Sequence, residues 1–194
     1  GFVNAGYASG NTYDAAAGVP GPIVADKILF RIAVTYKHSD GLIENSFLQD
    51  NIDFIDHDYS LRGRLLIKPT DRLTIDLRAE YGDFRAGSNY YSAIFSGDPN
   101  DFVDPQFNIR GFSEGHTTDL TGKVDYDLGF ATLTSITDDA HFTQQMRADL
   151  DFRNPVDSPG GFFGTSLQLV WCPTLNIHTS VQELRLVSAS GQRC

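Results

Sequence analysis

The feature that most constrains this chain is a two-residue alternation of apolar and polar side chains, renewed segment after segment along the sequence. In the stretch 28–37, Ile28, Phe30, Ile32, Val34 and Tyr36 fall on one face, and Leu29, Arg31, Ala33, Thr35 and Lys37 on the other. In 59–68, Tyr59, Leu61, Gly63, Leu65 and Ile67 oppose Ser60, Arg62, Arg64, Leu66 and Lys68. Leu73, Ile75, Leu77, Ala79 and Tyr81 likewise oppose Thr74, Asp76, Arg78 and Glu80. Leu120, Gly122, Val124, Tyr126 and Leu128 oppose Asp119, Thr121, Lys123, Asp125 and Asp127. A period of two is the signature of a strand with one apolar face. A helix would spread those charges around its whole circumference.

The segments 2–8, 130–142 and 180–188 read as further strands; in the last, Gln182, Leu184 and Leu186 oppose Glu183, Arg185 and Val187. The Ala-rich stretch 12–19 has poor strand composition, yet it lies between two strands and ends at Gly21-Pro22, and it is read as an eighth. The connections 21–27, 69–72 and 127–130 are short, whereas 38–58, 85–116 and 144–179 are long. Long loops without structure count against a compact soluble domain. Tight turns at one rim and long loops at the other are what an outer-membrane barrel has.

The two faces sharpen this expectation. The polar one mixes Arg31, Arg62, Arg64, Arg78 and Lys123 with Asp76, Glu80, Asp119 and Asp125, as suits a wet lumen or a plug. Tyr36, Tyr59 and Tyr81 end the apolar face near one rim, where an amphipathic aromatic girdle is favoured. The fold class expected is therefore all-β, an antiparallel transmembrane β-barrel wall of about eight strands. No apolar run approaches the roughly 20 residues that a membrane helix needs. A net charge of −10 gives no basic footprint for nucleic acid. Cys172 and Cys194 make at most one disulfide and have no metal-ligand spacing.

Several motifs add to this reading. The run 19–33, from Val19-Pro20-Gly21-Pro22 through Asp26-Lys27-Ile28-Leu29-Phe30-Arg31-Ile32-Ala33, resembles a barrel segment of TonB-dependent receptors. Asp40-Gly41-Leu42-Ile43-Glu44-Asn45 follows it as in that family, and the hairpin Arg62-Gly63-Arg64-Leu65 to Lys68-Pro69-Thr70-Asp71-Arg72-Leu73 is similar to another of its signatures. Leu133-Thr134-Ser135-Ile136-Thr137 and Gln182-Glu183-Leu184-Arg185-Leu186 resemble later strands. The order and spacing of these motifs carry the resemblance, which covers nearly the whole chain. It implies a 22-stranded barrel filled by an N-terminal plug, with residues 1–194 forming its early strands and the plug and later strands lying outside them. It also implies a Gram-negative outer membrane, active uptake of a small ligand such as an iron chelate, cobalamin or an oligosaccharide, and a TonB-type energy-coupling complex acting through the plug.

Chemical sites are sparse. The loop Asp50-Asn51-Ile52-Asp53-Phe54-Ile55-Asp56-His57-Asp58 lacks the Gly and Glu of a calcium loop and reads as a solvated acidic loop. Asp98-Pro99-Asn100-Asp101 with Asp104 reads the same way. His116, His141 and His178 have no partner at metal spacing, and Asp138-Asp139 point to opposite faces of a strand. No nucleophile elbow is present. The expectation is a non-enzyme without cofactor or metal, with Tyr90, Tyr91 and Arg110 in the second long loop as the ligand-binding candidates. Two other architectures remain open: a complete small eight-stranded barrel with a structural or adhesive role, and a soluble ligand-binding β-domain.

Overall fold

The structure, a computed structural model, describes residues 1–88, 98, 100, 104–152, 154 and 168–188. Among them there is no helix. The long strands are β1 (Phe2–Ala8), β2 (Thr12–Val24), β3 (Ile28–Ser39), β6 (Ile55–Thr70), β7 (Leu73–Ala86), β8 (Phe112–Asp127), β9 (Ala131–Asp149) and β11 (Thr174–Ser188). Short pairs fill the gaps: β4 (Glu44–Asn45) with β5 (Asp50–Asn51), and β10 (Val170–Trp171) against the end of β9. The long strands form one antiparallel meander in the order β1-β2-β3-β6-β7-β8-β9-β11, and β1 does not pair with β11. The sheet is open.

Register places the alternating residues as their pattern requires. Phe30, Leu65 and Leu77 are direct cross-strand partners, as are Ile32, Gly63, Ala79 and Leu120. The opposite face carries Arg31, Arg64 and Arg78 in one row and Ala33, Arg62, Glu80 and Asp119 in another. A shift of one residue in any pairing would exchange these faces.

Three expectations need correction. β2 runs on through Gly21-Pro22 to Val24, because β1 begins opposite Gly18 and leaves the rest of β2 with β3 as its one neighbour. Proline, without an N–H, is accommodated on such an edge. The turn there shrinks to residues 25–27, with Asp26 at φ 58°. Next, β9 runs past 142 into polar sequence, and β11 begins at Thr174, where the apolar residues Leu175 and Ile177 lie on the face opposite to Leu184 and Leu186, so that the strand carries no single apolar stripe. Finally, the β1–β2 connection at residues 9–11 is short although it lies on the long-loop rim, turning through positive φ at Gly10 and Asn11.

No second layer of described residues covers the sheet. Leu61, Leu120 and Ile32 remain 50%, 58% and 49% exposed. Most of the buried residues gather instead where the three long loops meet, among them Asn45, Phe107, Ile109, Ala148, Asp149 and Asp151.

Candidate functional site

Two regions concentrate polar chemistry, and both lie toward the long-loop rim. The first is the junction of the loops. Asn45, fully buried, donates from Nδ2 to the Phe107 carbonyl at 3.0 Å, while its Oδ1 accepts from the amides of Phe47 and Leu48. Ser46 N donates to the Pro105 carbonyl and Gly87 N to that of Phe54. Asp149 accepts the amides of Ile109 at 3.2 Å, Asp151 at 3.1 Å and Phe152 at 3.0 Å, joining the second and third loops. Backbone groups that would otherwise be orphaned are thus satisfied by side chains reaching from another loop.

Arg110 belongs to this junction. Its Nε lies 3.0 Å from Asp50 Oδ2, and its guanidinium sits over the Phe54 ring, 4.8 Å from the centroid. Its charge and its flat face are therefore both engaged in joining the first loop to the second. Tyr90 and Tyr91 lie outside the described residues. In the acidic loop, Asp53 Oδ1 accepts the amides of Leu42 and Ile43 at 2.8 Å, and Asp98 caps Asn100. Cys172 is exposed and free, and Cys194 lies outside the described residues.

The second region is on the apolar face, beyond the end of its apolar stripe. Tyr36, Tyr59, Asp83, His116, Thr143 and Asn176 stand in one cross-strand row. Around that row all five histidines of the chain lie on one face. His57 Nε2 meets Asp83 Oδ1 at 2.8 Å, His116 meets Thr143, His141 meets Asn176 at 2.7 Å, and His178 meets Asp139 at 2.8 Å. The rings of His116, His141 and His178 follow each other edge to face, with centroids 6.1 Å apart at each step. Residue spacing alone gave no sign of this, because the three histidines come together only through the register of β8, β9 and β11. Among the described residues no group of three His, Cys or acidic side chains is arranged to hold a metal ion. A shallow cavity of about 470 Å³ opens here, lined by His57, Asp83, Arg85, Glu114, His116 and Asn176 among others.

The border between apolar and polar on this face runs obliquely. Counting from the short-turn rim, the continuous apolar stripe ends at Tyr36 in β3, Tyr59 in β6, Tyr81 in β7, Leu120 in β8, Leu133 in β9 and Leu184 in β11. Leu184 lies eight residues along β11 from Asn176, the residue in the row of Tyr36. At a rise of roughly 3.4 Å per residue and a spacing of about 4.8 Å per strand, the border descends about 27 Å while crossing about 24 Å of sheet. Averaged from Tyr36 to Leu184 that slope is close to 45°, in uneven steps: Tyr36 and Tyr59 share a row, and Leu133 lies opposite Leu186, nearer the short-turn rim than Leu184.

On the opposite face many of the charges are paired. Asp76, 5% exposed, accepts Arg64 Nε and Nη2 and Arg78 Nη2, each at 2.8 Å. Arg62 pairs with Glu80 at 2.9 Å, Lys123 with Asp125 at 2.9 Å, and Arg185 with Glu183. Asp138 and Asp139 do diverge as the period of two requires, Asp138 toward Thr121 and Asp139 toward His178 and Ser180. Set against protein-family models, curated proteins and solved structures, the chain matches none.

Proposed function

We propose that the chain is wall from the barrel of an outer-membrane uptake receptor of the TonB-dependent kind, its apolar face toward lipid and its charged face toward the interior. The observation that carries this reading is the oblique border on an apolar face that no other layer of described residues covers. Strands that cross a flat hydrocarbon slab at a tilt of about 35–45° must meet its edge at successively shifted residues. An apolar band cut diagonally across hydrogen-bonded rows follows from that geometry. The tyrosines at the border in β3, β6 and β7 suit an interfacial girdle, and the paired charges of the other face suit a polar interior.

In this reading a small ligand arrives at the long-loop rim, where Tyr90, Tyr91 and Arg110 are the candidate contacts. The energy-coupling complex acts through the plug that the sequence resemblance implies. The role is uptake, without catalysis. A closed eight-stranded barrel fits less well: β1 has 7 residues and β11 has 15, so pairing them would leave about half of β11 open.

Expression of the chain alone, followed by gel electrophoresis of heated and unheated samples, tests the proposal. Wall from a larger barrel will need detergent for dispersion and will not yield a heat-resistant compact monomer, since an open edge is not tolerated in a bilayer. A heat-modifiable compact monomer would replace this reading with the small barrel. A chain that stays dispersed in plain buffer would replace it with the soluble domain.

A further inference from the structure

We propose that the charged face of the sheet holds a cradle for a small molecule bearing two or more carboxylate groups. Arg31, Arg64 and Arg78 are direct cross-strand partners in β3, β6 and β7. At about 4.8 Å per strand they span roughly 10 Å in one row. Like charges directly opposite each other destabilise a sheet, and an anion between them relieves the repulsion. Asp76 does this for Arg64 and Arg78, accepting from both at 2.8 Å. Arg31 and Arg64 have no such carboxylate between them among the described residues. The Arg31 guanidinium lies instead near the Phe2 ring, 5.9 Å from its centroid.

The three arginines and Arg62 line a cavity of about 500 Å³, a size that suits a small ligand. Phe2 walls it on the β1 side, its ring seated over Gly18, where a side chain would have no room. Thr35 and Ser60, hydrogen-bonded to each other at 2.8 Å, add hydroxyls to the lining. Glu80 and Asp119, partners across β7 and β8, bound the other side. Glu80 is held by Arg62 at 2.9 Å, and Asp119 accepts the Thr121 hydroxyl at 3.1 Å. Four guanidiniums thus face two carboxylates, in a chain whose net charge is −10. The excess of positive charge lies on the β3–β6 side and draws an anion there. Arg62, Arg64 and Arg78 are at least half-exposed despite their pairs, and so keep donors open to a ligand. A guanidinium fork matches a planar carboxylate at two points, as Arg64 already does with Asp76. One ligand carboxylate fits between Arg31 and Arg64, and a second reaches Arg62 or Arg78.

The cradle deepens the uptake role proposed above, and rests on it only in that this face lines a barrel interior. Its test is isothermal titration of tricarballylate, a flexible tricarboxylate, into the full-length protein that contains residues 1–194, in detergent. Binding is read there without reference to lipid, so its failure and a failure of the membrane placement are separate results. Tricarballylate should bind at least about tenfold more tightly than acetate at equal ionic strength, through its additional charge-assisted contacts. Arg31→Gln should weaken it by about tenfold or more, and Arg31→Lys, which keeps the charge without the fork, by less. Arg185→Gln, on the same face outside the cavity, should bind as the wild type does. If Arg31→Gln fails to fold, Arg62→Gln takes its place. Absence of binding, whether the cavity is left open or is taken by acidic side chains from outside residues 1–194, would overturn the proposal. Equal losses in Arg31→Gln and Arg185→Gln, the mark of a diffuse charge effect, would overturn it as well.

Discussion

Arg64 and Asp76 meet as a two-point pair, Nε and Nη2 of the guanidinium each 2.8 Å from a different carboxylate oxygen. They are diagonal neighbours across β6 and β7, and the residue directly opposite Arg64 is Arg78. Asp76 accepts from Arg78 as well, so one buried carboxylate holds together two arginines that would otherwise face each other as like charges.

Replacing Asp76 by Ala should therefore lower stability by about 1–2 kcal/mol, a figure moderated by the half-exposed state of both arginines. Denaturant unfolding of the complete barrel that carries the substitution measures it. In a double-mutant cycle the loss should be non-additive with Arg64→Ala, since removing one arginine also removes the repulsion.

Charge placed on the two faces should have opposite consequences. Leu77→Arg puts a guanidinium in the middle of the apolar stripe, where a lipid-facing cation costs roughly 2–4 kcal/mol. Thr121→Arg adds the same group to the face that already holds Arg64 and Arg78, so its effect should be under about 1 kcal/mol. Folding yield of the complete barrel into lipid vesicles, compared for the two variants, reads the difference.

Two glycines separate backbone need from spare room. A Cβ at Gly115 would stand 2.1 Å from the Thr143 carbonyl oxygen, which belongs to the pairing of β8 with β9, so Gly115→Val should disrupt that pair. A Cβ at Gly63 meets nothing within 4 Å. Gly63→Val should be tolerated or stabilise by up to about 1 kcal/mol, through strand propensity and reduced chain entropy. Thermal unfolding of both variants, followed by circular dichroism, gives the comparison.

What could be read directly from the residues was set by where one face differs from the other. From Ile28 to Tyr126 the contrast is strong, and the faces of β3, β6, β7 and β8 follow from it. Past His141 β9 is polar, and before Ser180 the apolar residues of β11, Leu175 and Ile177, lie on the face opposite to Leu184 and Leu186; the strands are paired there through residues such as Thr143 with Asn176. The histidine row was hidden for a related reason. His116, His141 and His178 are far apart in the chain, and only the register of three strands makes them neighbours. From the sequence Arg110 reads as a ligand-binding candidate; its attachment to Asp50 and Phe54 requires the first and second loops to fold together. Asp149 and Asp151 carry no spacing that marks a buried pair.

The most direct test of the proposed role is site-directed spin labelling of residues 1–194 within the complete barrel that the proposal implies, in lipid vesicles, with Cys172 and Cys194 replaced by Ser. Labels at Leu61, Leu77 and Leu120 should collide readily with oxygen, which dissolves in lipid, and rarely with a water-soluble nickel chelate; labels at Ser60, Arg78 and Thr121 should reverse that pattern. The change from lipid to water should fall between Tyr36 and His38 in β3, and between Leu184 and Ser180 in β11, as the oblique border requires. If the Leu61, Leu77 and Leu120 labels are open to the nickel chelate, or shielded from both reagents as in a protein core, the face does not meet lipid and the membrane-wall account is wrong.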